Sequence, residues 1–225
     1  DWGQTSVLFR RDLAPEYVGN GSWNILWDAK YKGRIGVFDS LVDGVCIAGI
    51  MAGLDNPYDY RKEADLEATR EMLKKLMPNL RYFSNDITTM EQGLASGELV
   101  AATLWNDSYT RLKKEGHDVE YMSPKESGPM TWVCGFAIGA NAEHLDKAYA
   151  VIDAMLEPES RAYELLEFGF GGSTQGGFDA VTDAQLTEAG YVRDVDAVLA
   201  AGSFQEEIQN EAALQAMFDE VKAGL

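Results

Sequence analysis

Leu99-Val100-Ala101-Ala102-Thr103-Leu104 is a short apolar run without alternation. A run of that length without a period of two suits a strand buried on both faces, as in a parallel sheet covered by helices. It is followed at once by Trp105, Asn106 and Asp107. In open α/β sheets, ligands bind beyond the carboxyl ends of the strands. Two readings fit this end. Trp105 and Asp107 can receive a cationic group through a π face and a charge, or Trp105 caps the core while Asp107 opens the next helix.

The same patterning predicts the other elements in order. Asp1–Arg11 is extended, with Val7, Leu8 and Phe9 apolar, and Ser22 caps a short helix over Trp23–Trp27. Ile35–Phe38 is a buried strand with Asp39 and Ser40 at its carboxyl end. Leu41–Gly53 is an apolar helix whose first turn carries Asp43, where the helix dipole favours a carboxylate. Leu66, Thr69, Leu73 and Leu76 recur at helical spacing within a helix over Ala64–Met77. Leu80–Phe83 is a strand, Thr88–Ser96 a helix closed by Gly97, Ser108–Glu115 a helix, and Val119–Met122 a strand. Thr131–Ile138 is a second extended crossing. Leu145–Leu156 and Glu159–Phe168 are helices, Gly169–Gly177 is glycine-rich, and Ala184–Ala189 and Phe204–Val221 are closing helices.

Alternating strands and helices up to Gly139 indicate an α/β fold with a mainly parallel sheet. Strands almost vanish beyond that point, so two structural parts are expected.

Composition narrows the function more than the fold. The 225 residues are 46% hydrophobic and 25% charged, an ordinary globular mixture, but the net charge is −18. That balance disfavours nucleic acid and anionic membrane surfaces as partners and suits a cationic ligand. His117 and His144 are the only histidines and fall away from the apolar strand ends, so neither a Ser-His-Asp nor a Cys-His arrangement is supported. No zinc-ligand spacing occurs, and no cofactor is called for. Phe168-Gly169-Phe170-Gly171-Gly172 follows a helix, whereas phosphate-binding glycine turns follow strands. It is either a surface loop or a backbone that approaches a ligand closely. Cys46 and Cys134 either pair in an oxidising compartment or are separate buried thiols. What remains is a set of aromatics and acids at element ends: Trp2, Asp39, Asp43, Trp105, Asp107, Tyr109, Trp132 and Phe170. Without an acid/base partner they suit recognition better than catalysis, although two carboxylates alone can hydrolyse a glycoside.

Trp2-Gly3-Gln4-Thr5-Ser6, Ser22-Trp23-Asn24-Ile25-Leu26, Tyr31-Lys32-Gly33-Arg34-Ile35, Leu94-Ala95-Ser96-Gly97-Glu98 and Ala148-Tyr149 together resemble the periplasmic polyamine-binding proteins of ABC importers. The resemblance implies a type II periplasmic-binding-protein fold: two α/β lobes joined by crossing segments, with ligand in the cleft. It implies that Trp2–Phe9 and Trp132–Ile138 are the crossings. It also implies that the chain starts late, lacking roughly one hundred residues of a first lobe. Residues 1–136 and 182–225 would then form one lobe, and 137–181 a remnant of the other. On the same comparison the family's acidic anchor falls on Asp43, its cleft tryptophan on Trp105, and an aromatic of the return crossing on Trp132. The carboxylate expected three residues after that tryptophan falls on Ser108, with Asp107 beside it. The second amine-anchoring acid falls on Cys134, which argues for a ligand with one cationic head, such as an amino-acid derivative or a quaternary amine. With Cys134 in that place, Cys46 and Cys134 are expected close together near the cleft. The resemblance further implies a monomer in the periplasm serving an inner-membrane ABC permease. A carboxylate-based hydrolase on this scaffold and a ligand-free interaction lobe are the rival readings.

Overall fold

β1 (Trp2–Arg10) runs through the middle of the sheet, and seven of its nine residues are buried, the mark of a strand covered on both faces. The computed structural model describes residues 1–224. After a 3-10 turn capped by Ser22, whose Oγ accepts the Asn24 N–H, come β2 (Ile35–Phe38), α1 (Cys46–Met51), α2 (Glu63–Leu76) and β3 (Leu80–Ser84). α3 (Ile87–Ser96) ends on left-handed Gly97 and leads into β4 (Ala101–Trp105), α4 (Asn106–Lys114), β5 (Val119–Tyr121) and β6 (Met130–Val133). Then follow α5 (Leu145–Leu156), α6 (Pro158–Phe168), α7 (Gln175–Asp179), α8 (Asp183–Glu188), α9 (Val195–Ala200), β7 (Ser203–Phe204) and α10 (Glu211–Lys222).

The strand order is β3-β2-β4-β1-β6-β7, with β5 also on β1. β2 is parallel to β3 and β4, and β7 is parallel to β6. β1 runs against β4, β5 and β6. The parallel αβ units predicted from the apolar runs are therefore present, and the crossing strand is threaded antiparallel between them.

One core, including Trp23, Ile35, Val45, Leu73 and Phe218, lies beneath one face of the sheet. A second, including Leu8, Met90, Leu104 and Leu112, packs α3 and α4 on the other. A third joins Trp2 to Leu165, Phe178, Leu186 and Tyr191. Residues on both sides of position 182 share this third core.

Three expected elements differ. The extended crossing over Thr131–Ile138 holds its strand only to Val133: its last ladder bond is Cys134 N–H to Asp1 O, 2.9 Å, and residues 135–137 are exposed. The helix expected over Leu41–Gly53 begins as a π-helical turn at Leu41–Val45 before α1. The helix expected from Phe204 begins only at Glu211. Gln205 N–H bonds Thr131 O at 2.8 Å, Gln209 N–H bonds Tyr58 O at 2.7 Å, and Asn210 stands at φ 63°. Partner strands and loops capture this segment's backbone before a helix can. α7 begins within the stretch read as glycine-rich, and α9 lies where no element is expected.

Candidate functional site

The cleft is built from element ends. Ser40 closes the turn after β2, and its Oγ accepts the Asp43 N–H at 2.9 Å. The same hydroxyl donates to Asp43 Oδ2 at 2.8 Å, while Thr5 Oγ1 on β1 donates to Oδ1 at 2.7 Å. Asp43 is only 8% exposed. Among the described residues no Lys, Arg or His forms an ion pair with it. A buried carboxylate served by neutral hydroxyls alone retains its appetite for a positive partner.

Aromatic rings wall the space in front of it. Trp105 ends β4 with its ring 5.3 Å from Phe38 and 6.4 Å from Trp132. Trp132 in turn meets Phe170 edge-to-face at 5.3 Å. Gly3 is what lets the Trp132 ring lie across β1, because a Cβ there would stand 2.3 Å from it. The resulting cleft measures ≈ 360 Å³ and is lined by Asp1, Asp43, Trp105, Trp132, Cys134, Phe170 and Gln205. That volume falls in the range of small-molecule sites.

Phe170 is held on both sides. Gly169 O accepts from Asn106 Nδ2 and, at 2.9 Å, from the Tyr191 hydroxyl. Gly171 and Trp2 exchange two backbone bonds of 2.8 and 2.9 Å, and Trp2 Nε1 donates to Gly172 O at 3.2 Å. A Cβ on Gly171 would meet the Trp2 indole at 2.1 Å. Asn106 also takes up the ladder where β4 stops: its Oδ1 accepts the Gln4 N–H at 2.8 Å.

Of the nine residues singled out from sequence, Asp43, Trp105, Trp132, Cys134 and Phe170 come together here. The other four stand elsewhere. Trp2 buries its ring in the third core, edge-on to Tyr191 at 5.5 Å. Asp39 pairs with Lys222 Nζ at 2.9 Å. Asp107 lies in the first turn of α4, accepts the Ser108 N–H at 2.9 Å and pairs with Arg111 at 2.8 Å. Burial pushes its carboxyl up, and the Arg111 guanidinium works against that rise. Tyr109 packs against Tyr121 at 6.3 Å, with Lys113 over its ring.

Both cysteines are free thiols. Cys46 points into the first core, where burial pushes it up to about 12, whereas Cys134 is exposed on the cleft. The helix turn that puts Asp43 on the cleft thus turns Cys46 away from it.

Sequence reasoning missed Asp1, Gln205 and the supports Thr5, Ser40 and Asn106. The Ser40–Asp43 spacing is a capping signal readable from sequence. Gln205 and Thr5 are joined only by the fold, through a 3.4 Å contact between Gln205 Nε2 and Thr5 Oγ1.

Among curated relatives, the spermidine/putrescine-binding periplasmic protein of Salmonella typhimurium is 31% identical over 159 residues, 70% of this chain and 44% of its own length. The putrescine/agmatine-binding protein of Pseudomonas aeruginosa is 25% identical over 173 residues, covering 70% and 46%. The chain thus spans less than half the length of these relatives. A solved spermidine/putrescine ABC transporter substrate-binding protein of Streptococcus pneumoniae superposes with TM-score 0.77 at 18% identity, over 99% of this chain and 67% of the other. No helix among the described residues is long and apolar enough to cross a membrane. The periplasmic location expected from the sequence is the one the Salmonella typhimurium relative carries in its name. The family described as bacterial extracellular solute-binding protein matches residues 2–190, and this chain belongs to it.

Proposed function

We propose that this chain supplies one wall of the binding cleft of a solute-binding protein that captures a small compound with a cationic nitrogen and delivers it to an ABC permease. The observation that carries the reading is Asp43: a carboxylate at the cleft, 8% exposed, hydrogen-bonded by two hydroxyls and paired with no cation among the described residues. An ammonium entering between Trp105 and Trp132 would gain a charge-assisted hydrogen bond at the acid and the π faces of the indoles. Hinge motion at the crossing segments would close the cleft on it. The curated relatives bind spermidine, putrescine or agmatine by name, which supports amines as the class.

A hydrolase is a weaker reading. Asp107, the acid beside Trp105 in sequence, is bound to Arg111 and absent from the cleft lining. A two-acid mechanism that uses Asp107 with Asp43 needs both groups on the same substrate.

Calorimetry with butylamine, choline, putrescine and agmatine tests the proposal. Saturable binding of at least one amine, lost in Asp43→Asn, is expected. Amines that bind equally well to both proteins, or to neither, would overturn it.

A further inference from the structure

Asp1 and Cys134 face each other across the β1/β6 ladder. The register pairs Trp2 with Val133, so the next step outward sets Asp1 opposite Cys134. Their backbones confirm the pairing: Cys134 N–H donates to Asp1 O at 2.9 Å, and the Asp1 backbone nitrogen donates to Cys134 O at 3.1 Å. Directly opposed residues of an antiparallel pair project to the same face of the sheet, with Cβ atoms about 4.5–5.5 Å apart. That face is the cleft, and both residues line it.

The cleft therefore carries two carboxylates. Asp43 is held by the Thr5 and Ser40 hydroxyls, and Asp1 precedes β1 by one residue, opposite the Cys134 thiol. Neither side chain forms an ion pair with a Lys, Arg or His among the described residues. The expectation of a one-headed ligand was tied to Cys134, a neutral thiol that cannot pair with a second ammonium. The strand beside it supplies the missing charge one ladder step away.

Resting on the amine-binding reading above, we infer that Asp1 is a specificity-determining residue: it anchors the second cationic end of a linear diamine whose first end sits at Asp43. Stranding that second ammonium in a closed cleft without a carboxylate would be costly, and Asp1 removes the cost.

The test compares putrescine with butylamine, which shares the four-carbon stem but has one ammonium. Calorimetry at fixed ionic strength is expected to show putrescine binding at least ten-fold tighter than butylamine. Asp1→Asn should bring putrescine to within about two-fold of butylamine. Adding Cys134→Asp to Asp1→Asn returns a carboxylate from the opposite side of the ladder and should restore the putrescine advantage. Both positions lie at the strand end, so thermal unfolding of the variants is expected to match the parent. Butylamine binding with no putrescine advantage, or an advantage that survives Asp1→Asn, overturns this inference and leaves the role of Asp43 standing. Binding of neither amine overturns both.

Discussion

Thr5 Oγ1 donates to Asp43 Oδ1 at 2.7 Å, joining the crossing strand to a helix start 38 residues further along the chain. Thr5 is fully buried, so this hydroxyl serves the carboxylate in place of water. The bond holds the acid toward the cleft and gives the two positions distinct phenotypes. Asp43→Asn keeps an oxygen for the hydroxyls but loses the charge. Amine affinity should fall by about 1.5–3 kcal/mol, with unfolding free energy shifted by less than about 1 kcal/mol. Thr5→Val strips one donor from a buried carboxylate and should cost about 1–3 kcal/mol of stability instead. Calorimetry and urea unfolding of the two variants separate these effects, and equal losses of affinity and stability in both would contradict the assignment.

The two thiols should behave differently toward an alkylating reagent. Reactivity follows the thiolate, and burial pushes the Cys46 pKa up to about 12, so the thiol stays protonated near neutral pH. Cys134 is exposed on the cleft. Native protein treated with iodoacetamide near pH 8 should take up one label, at Cys134 by peptide mass, and a bound amine should slow the labelling. Labelling of Cys46 in folded protein would show that the first core opens more readily than its packing implies.

The fold was largely legible because its signals are local. Leu99–Leu104 has no charged position to expose, and the strand found at Ala101–Trp105 is buried up to its last residue. Ser22 and Gly97 announce helix ends by the conformations they favour, and both do so here. The cleft was legible only where the functional residue closes an element, as Trp105 and Asp43 do. Asp39 looked the same in sequence, but Lys222 neutralises it from 183 residues away. Gln205 was hidden for the converse reason: the apolar spacing from Phe204 onward reads as helix, while strand pairing with β6 holds its backbone extended.

Asp107 gives a pH dependence of definite sign. Burial raises its folded pKa above the ordinary carboxylate value, and Arg111 pulls it back in part. A raised carboxyl binds its proton more tightly when folded. Its contribution is therefore full below the unfolded pKa near 3.8 and is lost as pH rises through the folded value. Removing Arg111 takes away the opposing pull, so Arg111→Leu should lose stability more steeply than the parent between pH 4 and 7. Asp107→Asn should flatten that part of the profile. Urea unfolding across this range checks both, and parallel curves for all three proteins would rule out the coupling.

Phe170 should depend on Asn106 and Tyr191 for its place in the cleft wall. Their bonds to Gly169 O are buried, and the next residue carries the ring. Tyr191→Phe removes one donor and Asn106→Leu removes the other, together with the acceptor for Gln4. Backbone hydrogen exchange at residues 169–172 should quicken by about ten-fold or more in Asn106→Leu and less in Tyr191→Phe, while β2 and β3 remain protected. Uniform acceleration over the whole chain would mean that the pair supports global stability and has no particular hold on the loop.

α5 and the adjoining α6 present apolar side chains to solvent. α5 has no buried residue, and Leu145, Tyr149 and Leu156 on it are 51%, 59% and 39% exposed. Tyr163 and Phe168 on α6 are exposed as well. Exposed apolar surface gathered on neighbouring helices marks a surface that packs against something. The relatives are longer than this chain: the solved Streptococcus protein matches it over 67% of its own length. Residues 1–225 on their own should bind the dye ANS and sediment faster as concentration rises. Tyr149→Lys combined with Tyr163→Lys should reduce both effects without lowering the unfolding midpoint, since neither side chain is buried. Clean monomer sedimentation at high concentration with no dye binding would show that α5 and α6 tolerate water as they stand, and that this face calls for no further partner.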